Sequence, residues 1–168
     1  LRDIGEIFTV GKTKALIYNK YDFDTADIHL LRNENILASK KKTKILEDKH
    51  RLYELDSFRY DITKELLKAN NFKITSDNTL ADGESDNLIF KDGFFNLKDR
   101  TFIAKETTIN LKKNSFDNRN NDPRLKGVSS SSENQITVVN KGVFTSCKKR
   151  DGKCPPWSIT AKKITHDK

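Results

Sequence analysis

The chain has 168 residues, of which 35% are hydrophobic, so residues 1–168 are long enough for one domain with an apolar core. No window approaches the roughly 18 consecutive apolar residues of a membrane helix, so we expect none. The net charge of +8 indicates an anionic partner or surface, such as nucleic acid, phospholipid headgroups or a phosphorylated glycolipid. The lysines are scattered, however, and solvated strand faces and turns explain them equally well.

Alternation of apolar and polar residues is the dominant pattern along the chain, and it predicts β-strands. It is clear in residues 25–30, 57–63 and 134–139. Turn residues separate such stretches, as at Asp82-Gly83 and Lys141-Gly142. The sequence therefore predicts an all-β fold.

Two stretches depart from this pattern. Residues 61–69 contain good helix formers after a possible N-cap, so a short helix is an alternative to a strand there. Residues 114–134 are almost entirely polar, and we expect them to form a mobile connection on one rim.

A weak internal repeat runs through the chain. Its copies are Ala69-x-x-Phe72-x-Ile74, Ala104-x-x-Thr107-x-Ile109-x-Leu111 and Ala161-x-x-Ile164-x-His166. The change of spacing after each alanine indicates a bend or bulge, where a strand turns a corner between two sheets. Stacked units would share one apolar interior, because a single unit cannot bury its hydrophobic face. We predict a jelly-roll or taco-like fold with two facing sheets around an apolar slot; an ordinary sandwich core is the alternative.

Motifs of catalysis are missing from the sequence. His29, His50 and His166 lie in separate segments without a neighbouring ligand, so no metal site is expected. Cys147 and Cys154 lack the CxxC spacing of zinc ribbons and redox motifs. No Gly-rich phosphate loop and no Gly-x-Ser-x-Gly motif occurs. We expect a protein that is not an enzyme and needs no cofactor.

Residues 124–167 carry a family resemblance. A glycine-containing strand leads to Phe144-Thr145-Ser146-Cys147, then to a loop with Pro155-Pro156, and then to Trp157-x-Ile159-x-Ala161-x-x-Ile164. This pattern resembles the LptD family of lipopolysaccharide-assembly proteins, which are built from OstA repeats. The preceding residues resemble that family only through the degenerate repeat.

The resemblance implies a periplasmic β-jellyroll at the outer membrane, which takes lipopolysaccharide from a bridge of similar jellyrolls. It further implies an outer-membrane barrel of the same protein and a lipoprotein plug as partners. No barrel follows in this sequence, so we expect a fragment of a longer protein. Edge-strand pairing would join this domain to the bridge jellyroll.

Lipid A acyl chains would occupy the slot, because exposing a chain of about 14 carbons to water costs on the order of 10 kcal/mol. Alternation assigns the lipid-binding residues, namely Ile28, Leu30, Phe58, Tyr60, Phe72, Ile74, Phe90, Phe102, Ile109, Leu111 and Ile159. Lysines at the mouth would meet the phosphates. The alternatives are a small periplasmic bridge protein of the same repeat family and a basic nucleic-acid-binding β domain. Aromatics are not clustered with Lys or Arg, so we expect no nucleic acid partner.

The resemblance implies a periplasmic location, where disulfides persist, so we expect the two cysteines to be oxidised. Cys147 falls on the family's Thr-x-Cys position, and that cysteine pairs with one near the end of the barrel. Cys154 is seven residues away, and Asp151-Gly152 can form a tight turn, so a local bridge can form if the strands on either side lie next to each other. We predict a Cys147–Cys154 disulfide in the isolated domain; pairing with the barrel is the alternative.

Overall fold

The computed structural model describes residues 5–81 and 83–167 of the chain. In these ranges 14 strands form one antiparallel sheet, and no α-helix occurs, which confirms the predicted all-β fold. No helix there is long and apolar enough to cross a bilayer. The strands are β1 (Glu6–Phe8), β2 (Lys12–Ile17), β3 (Tyr21–Ala26), β4 (His29–Leu31), β5 (Ile36–Ser39), β6 (Thr43–Glu47), β7 (Arg51–Leu55), β8 (Ser57–Asp61), β9 (Leu66–Thr75), β10 (Asn87–Asn96), β11 (Thr101–Asn110), β12 (Arg124–Glu133), β13 (Ile136–Thr145) and β14 (Ile159–Asp167). Short 3-10 turns occupy Arg32–Glu34 and Lys113–Phe116.

The sheet is folded along its middle. Strand β9 pairs with β8 through residues 66–70 but with β7 through residues 73–75. Wall A comprises β1, β4, β5, β8 and residues 66–70 of β9, and wall B comprises β2, β3, β6, β7 and residues 72–75 of β9. Strands β10 to β14 continue the pairing of both halves of β9, so each contributes to both walls.

Bends at the fold line explain the repeat seen in the sequence. Ala69 and Phe72 are both buried although three residues separate them, because Asn71 adopts a positive φ of 46°. The same arrangement recurs at Ala104 and Thr107, on either side of Glu106 with φ of 48°. One extra residue at each bend keeps both halves of a strand facing inward. The predicted bend is therefore confirmed after Ala69 and Ala104, whereas no residue between Ala161 and Ile164 has a positive φ.

The inner faces of the two walls pack against each other through aromatic rings. Phe72 of wall B lies 5.4 Å from Phe95 of wall A, centroid to centroid, and Phe90 of wall B lies 4.9 Å from Phe102 of wall A. All four rings are buried. Aromatic pairs at such distances add about 0.5–1.5 kcal/mol each to the stabilisation from buried area. The middle of the fold is therefore filled by the chain's own side chains.

The structure decides the two stretches that depart from the alternation: the helical alternative does not occur, and the predicted connection is wrong for residues 124–133. Residues 61–69 form the end of β8, a turn and the start of β9 instead of a helix, because Asp61 Oδ1 accepts a hydrogen bond from Lys64 N at 2.9 Å and closes the turn. The polar stretch 114–134 is only in part a connection, since residues from Arg124 onward form β12. The serines of β12 pair on both sides, with β11 and with β13, which a search for apolar alternation misses.

Candidate functional site: a groove between the two walls

A groove opens between the two walls, where the ends of strands β9 to β13 and the turns between them face each other. It encloses a cavity of about 980 Å³, within the range of ligand pockets. Its apolar floor combines Ile74 and Leu88 of wall B with Phe95 and Phe102 of wall A. Since both walls contribute, the groove exists only because the sheet is folded.

The rim of the groove is polar. It carries Arg51 and Arg100, together with the acidic side chains of Asp99 and Glu133. The formal charges of these four residues cancel, so the groove has no strong net field. A ligand would be held by burial of apolar surface on the floor, and the two arginines offer donors to an anionic group.

A buried carboxylate holds the two walls together at one end of the groove. Glu47 of wall B is 1% exposed and accepts a hydrogen bond from Tyr53 Oη at 2.6 Å. Its oxygens lie 3.2 Å from Lys20 Nζ, 3.5 Å from Arg51 Nη1 and 3.2 Å from Arg100 Nη2. We call these five residues the Glu47 cluster. Arg100 belongs to the β10–β11 turn of wall A, so the cluster bridges the gap between the ends of the two walls. We call this gap the mouth of the fold.

Electrostatics keep Glu47 ionised in spite of its burial. Burial disfavours the carboxylate, but the hydrogen bonds from Tyr53 and Lys20 and the charge of Arg51 outweigh it and lower the pKa of Glu47. Burial, reinforced by the neighbouring carboxylate, raises the pKa of Tyr53. Tyr53 therefore stays a neutral donor, and Glu47 stays an anion with more cations around it than it can neutralise.

Further contacts close the mouth on the N-terminal side of the cluster. Tyr18 Oη donates to the carbonyl oxygen of Ile62 at 2.9 Å, and Tyr21 Oη donates to Glu65 Oε2 at 3.1 Å. Both bonds run from the β2–β3 hairpin of wall B to the β8–β9 turn of wall A. Beyond Arg100 the walls separate, and the groove begins there.

The fold is open at its β14 side. Ile109, Leu125, Phe144 and Ile159 stand opposite one another in successive strands and so share the inner face of wall B. Exposure rises along this row from 1% at Ile109 and 3% at Leu125 to 56% at Ile159. The interior thus passes from a packed core to an accessible apolar surface at the edge strand β14.

Most of the predicted lipid-binding residues form the core. Leu30 is half-buried, Ile159 is exposed, and the other nine are buried: Ile28, Phe58, Tyr60, Phe72, Ile74, Phe90, Phe102, Ile109 and Leu111. Of the eleven, Ile74 and Phe102 line the groove. Nine of the eleven side chains therefore point inward, where most of them contact protein, and lipid binding by this set stays a prediction.

Sequence reasoning missed several residues of the groove. Leu88 and Phe95 lie on the same strand, and Phe95 faces inward while Phe94 is 49% exposed. Alternation from Phe90 would assign Phe94 to the interior, and the bend in β10 reverses that assignment. Arg51 and Arg100 sit at strand ends and turns, where the sequence carries no periodic signal.

The cysteines lie beside the last turn. Cys147 is half-buried and Cys154 exposed, and both are free thiols. Thr145 Oγ1 accepts a hydrogen bond from Cys147 N at 3.2 Å and donates to Trp157 O at 2.8 Å. Hydrogen bonding with Thr145 lowers the pKa of the Cys147 thiol, and the charge of Arg124 acts in the same direction. The Cys147–Cys154 bridge stays a prediction for oxidising conditions.

Comparison with known proteins gives no family assignment. No protein-family model matches the chain, and no curated protein matches it. Functional inference therefore depends on the groove and on the residues that form it.

Proposed function

We propose that the groove between the walls binds lipid acyl chains and that the domain takes part in lipopolysaccharide transport to the outer membrane. The observation that carries the proposal is the cavity of about 980 Å³ between the walls, at which the apolar side chains of Ile74, Leu88, Phe95 and Phe102 border open space beside a polar rim. Acyl chains need such a surface, because each methylene exposed to water costs about 0.8 kcal/mol.

The rim suits the other end of a lipid A molecule. Arg51 and Arg100 share the single carboxylate of Glu47, so their remaining donors are available to phosphate oxygens. Acyl chains on the floor would place the phosphorylated sugars at this rim. The domain would thus hold the lipid without chemical change, in keeping with a carrier instead of an enzyme.

The open β14 side gives the lipid a route onward. Inner-face residues such as Phe144 and Ile159 continue the apolar surface to the edge strand. In the proposed role, a similar jellyroll or the protein's own outer-membrane barrel with its lipoprotein plug extends this surface by edge-strand pairing. The domain would then lie on the periplasmic side of the outer membrane, as the resemblance to the LptD family implies.

A matched pair of serines tests the groove. Ser132 stands opposite Phe102 and Thr137 on the inner face, whereas its neighbour Ser131 stands opposite Ile103 on the outer face. A photo-crosslinking amino acid at position 132 should capture purified lipopolysaccharide, and the same amino acid at position 131 should not. Both variants must retain the far-UV spectrum of the parent protein.

Two outcomes would contradict the proposal. Equal capture from positions 131 and 132 would indicate adsorption to the surface, and capture from neither would show that the groove does not hold this lipid. Simple fatty acids as competitors show whether the acyl chains are recognised: they should reduce crosslinking at position 132.

A further inference from the structure

The corner between β1 and β2 carries unusually exposed apolar side chains. Phe8 is 64% exposed and Val10 is 95% exposed. The ring of Phe8 stacks on His29 with centroids 4.2 Å apart, which fixes its position on the outer face of wall A. Gly11, with φ of 78°, turns the chain directly after Val10, so that Val10 stands at the tip of the corner.

A cationic pocket of about 640 Å³ adjoins this corner. Phe8 lines it together with Lys40, Lys41, Arg59 and Lys68. Among the described residues of the lining the one carboxylate is Asp27, so the formal charges sum to 4 − 1 = +3. Asp27 is already paired with Lys41 at 3.4 Å, and Arg59 also reaches Glu34 at 3.0 Å.

Corner and pocket form one rigid surface. Gly11 N donates to Asp27 Oδ1 at 2.8 Å, and Asp27 N donates to Gly11 O at 3.1 Å. Asp27 therefore connects two parts of this surface. It bonds to Gly11, next to Val10 at the tip, and it pairs with Lys41 between β5 and β6. The tip and the pocket are therefore held next to each other.

A row of side chains on the outer face of wall B differs from the corner. There Lys44 and Lys73 lie 3.3 Å and 3.5 Å from the two oxygens of Glu54. Opposite charges alternate along this row, so that Glu54 lies between two lysines. At the corner, by contrast, Lys40 and Lys68 line the pocket without an ion pair among the described residues.

We propose that this corner docks on an anionic lipid bilayer. Val10 and Phe8 enter the boundary between headgroups and acyl chains, and the pocket's cations hold headgroup phosphates. Membrane-surface proteins combine these same two features, and each Lys or Arg near an anionic surface strengthens binding about fivefold. A nucleic acid would use the lysines but not Val10, since bases stack on aromatic rings. The site lies outside the groove and does not depend on the function proposed for it.

Vesicle flotation tests the electrostatic part. The protein should bind vesicles of mixed phosphatidylglycerol and phosphatidylcholine and should leave vesicles of phosphatidylcholine alone unbound. Substitution of Lys40→Gln with Lys68→Gln should weaken binding about 25-fold, since each lost cation contributes about fivefold. The charge-matched control, Lys44→Gln with Lys126→Gln on wall B, should change binding less than twofold.

Fluorescence tests insertion of the tip. In a Trp157→Phe background, which removes the single native tryptophan, Val10→Trp should give blue-shifted emission with the anionic vesicles. Val128→Trp is the matched control, because Val128 is a 58% exposed valine at the fold line of β12, far along the sheet. Its emission should not shift.

Three results would overturn the proposal. One is equal binding to neutral and anionic vesicles, and another is an equal loss from the wall B control. The third is tight oligonucleotide binding that the double substitution Lys40→Gln with Lys68→Gln abolishes, together with a Val10→Ser variant that binds both oligonucleotide and vesicles as the parent protein does. That result would assign the pocket to nucleic acid. Far-UV spectra of all variants exclude misfolding as the cause.

Discussion

Arg100 and Glu47 are 53 residues apart in the sequence, and Arg100 Nη2 lies 3.2 Å from Glu47 Oε1 across the mouth of the folded sheet. This contact joins a turn of wall A to a hairpin of wall B. Because Glu47 is buried and Arg100 also lines the groove, the same pair stabilises the fold and marks where the groove begins.

Substitution of Glu47→Gln should destabilise the protein by about 2 kcal/mol, because three cations lose their shared anion. The loss should be smaller than for a fully buried pair, since Arg100 is 56% exposed. Urea unfolding measures the change. Glu54→Gln on the outer face is the control and should cost less than about 0.5 kcal/mol; equal losses would contradict this account of the Glu47 cluster.

Acidification should weaken the same cluster. The folded-state pKa of Glu47 lies below its ordinary value of 4.5, so its contribution is fully present above that value and is lost as the pH falls through the folded-state pKa. The free energy of unfolding should therefore drop between about pH 5 and pH 3, and Glu47→Gln should flatten that part of the curve. Parallel curves for the two proteins would show that other carboxylates determine the pH dependence.

Replacing Tyr60 by Phe should stabilise the protein. The Tyr60 hydroxyl is buried and has no hydrogen-bond partner among the described residues, and burial raises the pKa of this hydroxyl. Removing an unsatisfied buried group saves part of its desolvation cost, on the order of 1 kcal/mol. Thermal unfolding checks this. Tyr53→Phe is the contrast and should destabilise, because Tyr53 donates to Glu47.

Gly127→Ala should destabilise the fold by about 1–3 kcal/mol through overpacking. Gly127 lies in β12 near the fold line, where a Cβ would clash with the side chain of Val139 and lie 2.8 Å from Asn140 O. The exposed neighbour Val128 offers a control, and Val128→Ala should change stability by less than about 0.5 kcal/mol. Similar losses for both would show that the sheet relaxes at this point.

Mild oxidation should join Cys147 to Cys154. The lowered pKa of Cys147 increases its thiolate fraction and so its rate of attack, and Cys154 is exposed seven residues away in sequence. Mass spectrometry after incubation with oxidised glutathione should show a loss of two hydrogens and no thiol available to alkylation. Mixed disulfides with glutathione on both cysteines would contradict a local bridge.

The sequence was informative about strands and bends but not about the groove. Period-2 alternation and the spacing after Ala69 and Ala104 are local properties, and the structure has strands and bends there. The serines of β12 form a strand without apolar alternation because the strands on both sides pair with them. Which buried side chains border open space depends on how two distant segments meet. Contacts such as the one between Arg100 and Glu47 join residues far apart in the sequence, so the spacing of residue types along the chain does not predict them.

The order of the strands has a consequence for how the chain acquires this shape. From β9 to β14 each strand pairs with the next one along the sequence, whereas β1 to β8 also pair with non-consecutive strands, such as β3 with β6 and β5 with β8. Within β9 to β14, stability then approximates a sum over neighbouring units, and assembly can propagate from any formed hairpin of this part. Adding or removing one hairpin at the β14 edge would lengthen or shorten the interior without changing the rest. Such a scaffold can vary in length during evolution while each remaining unit keeps its packing.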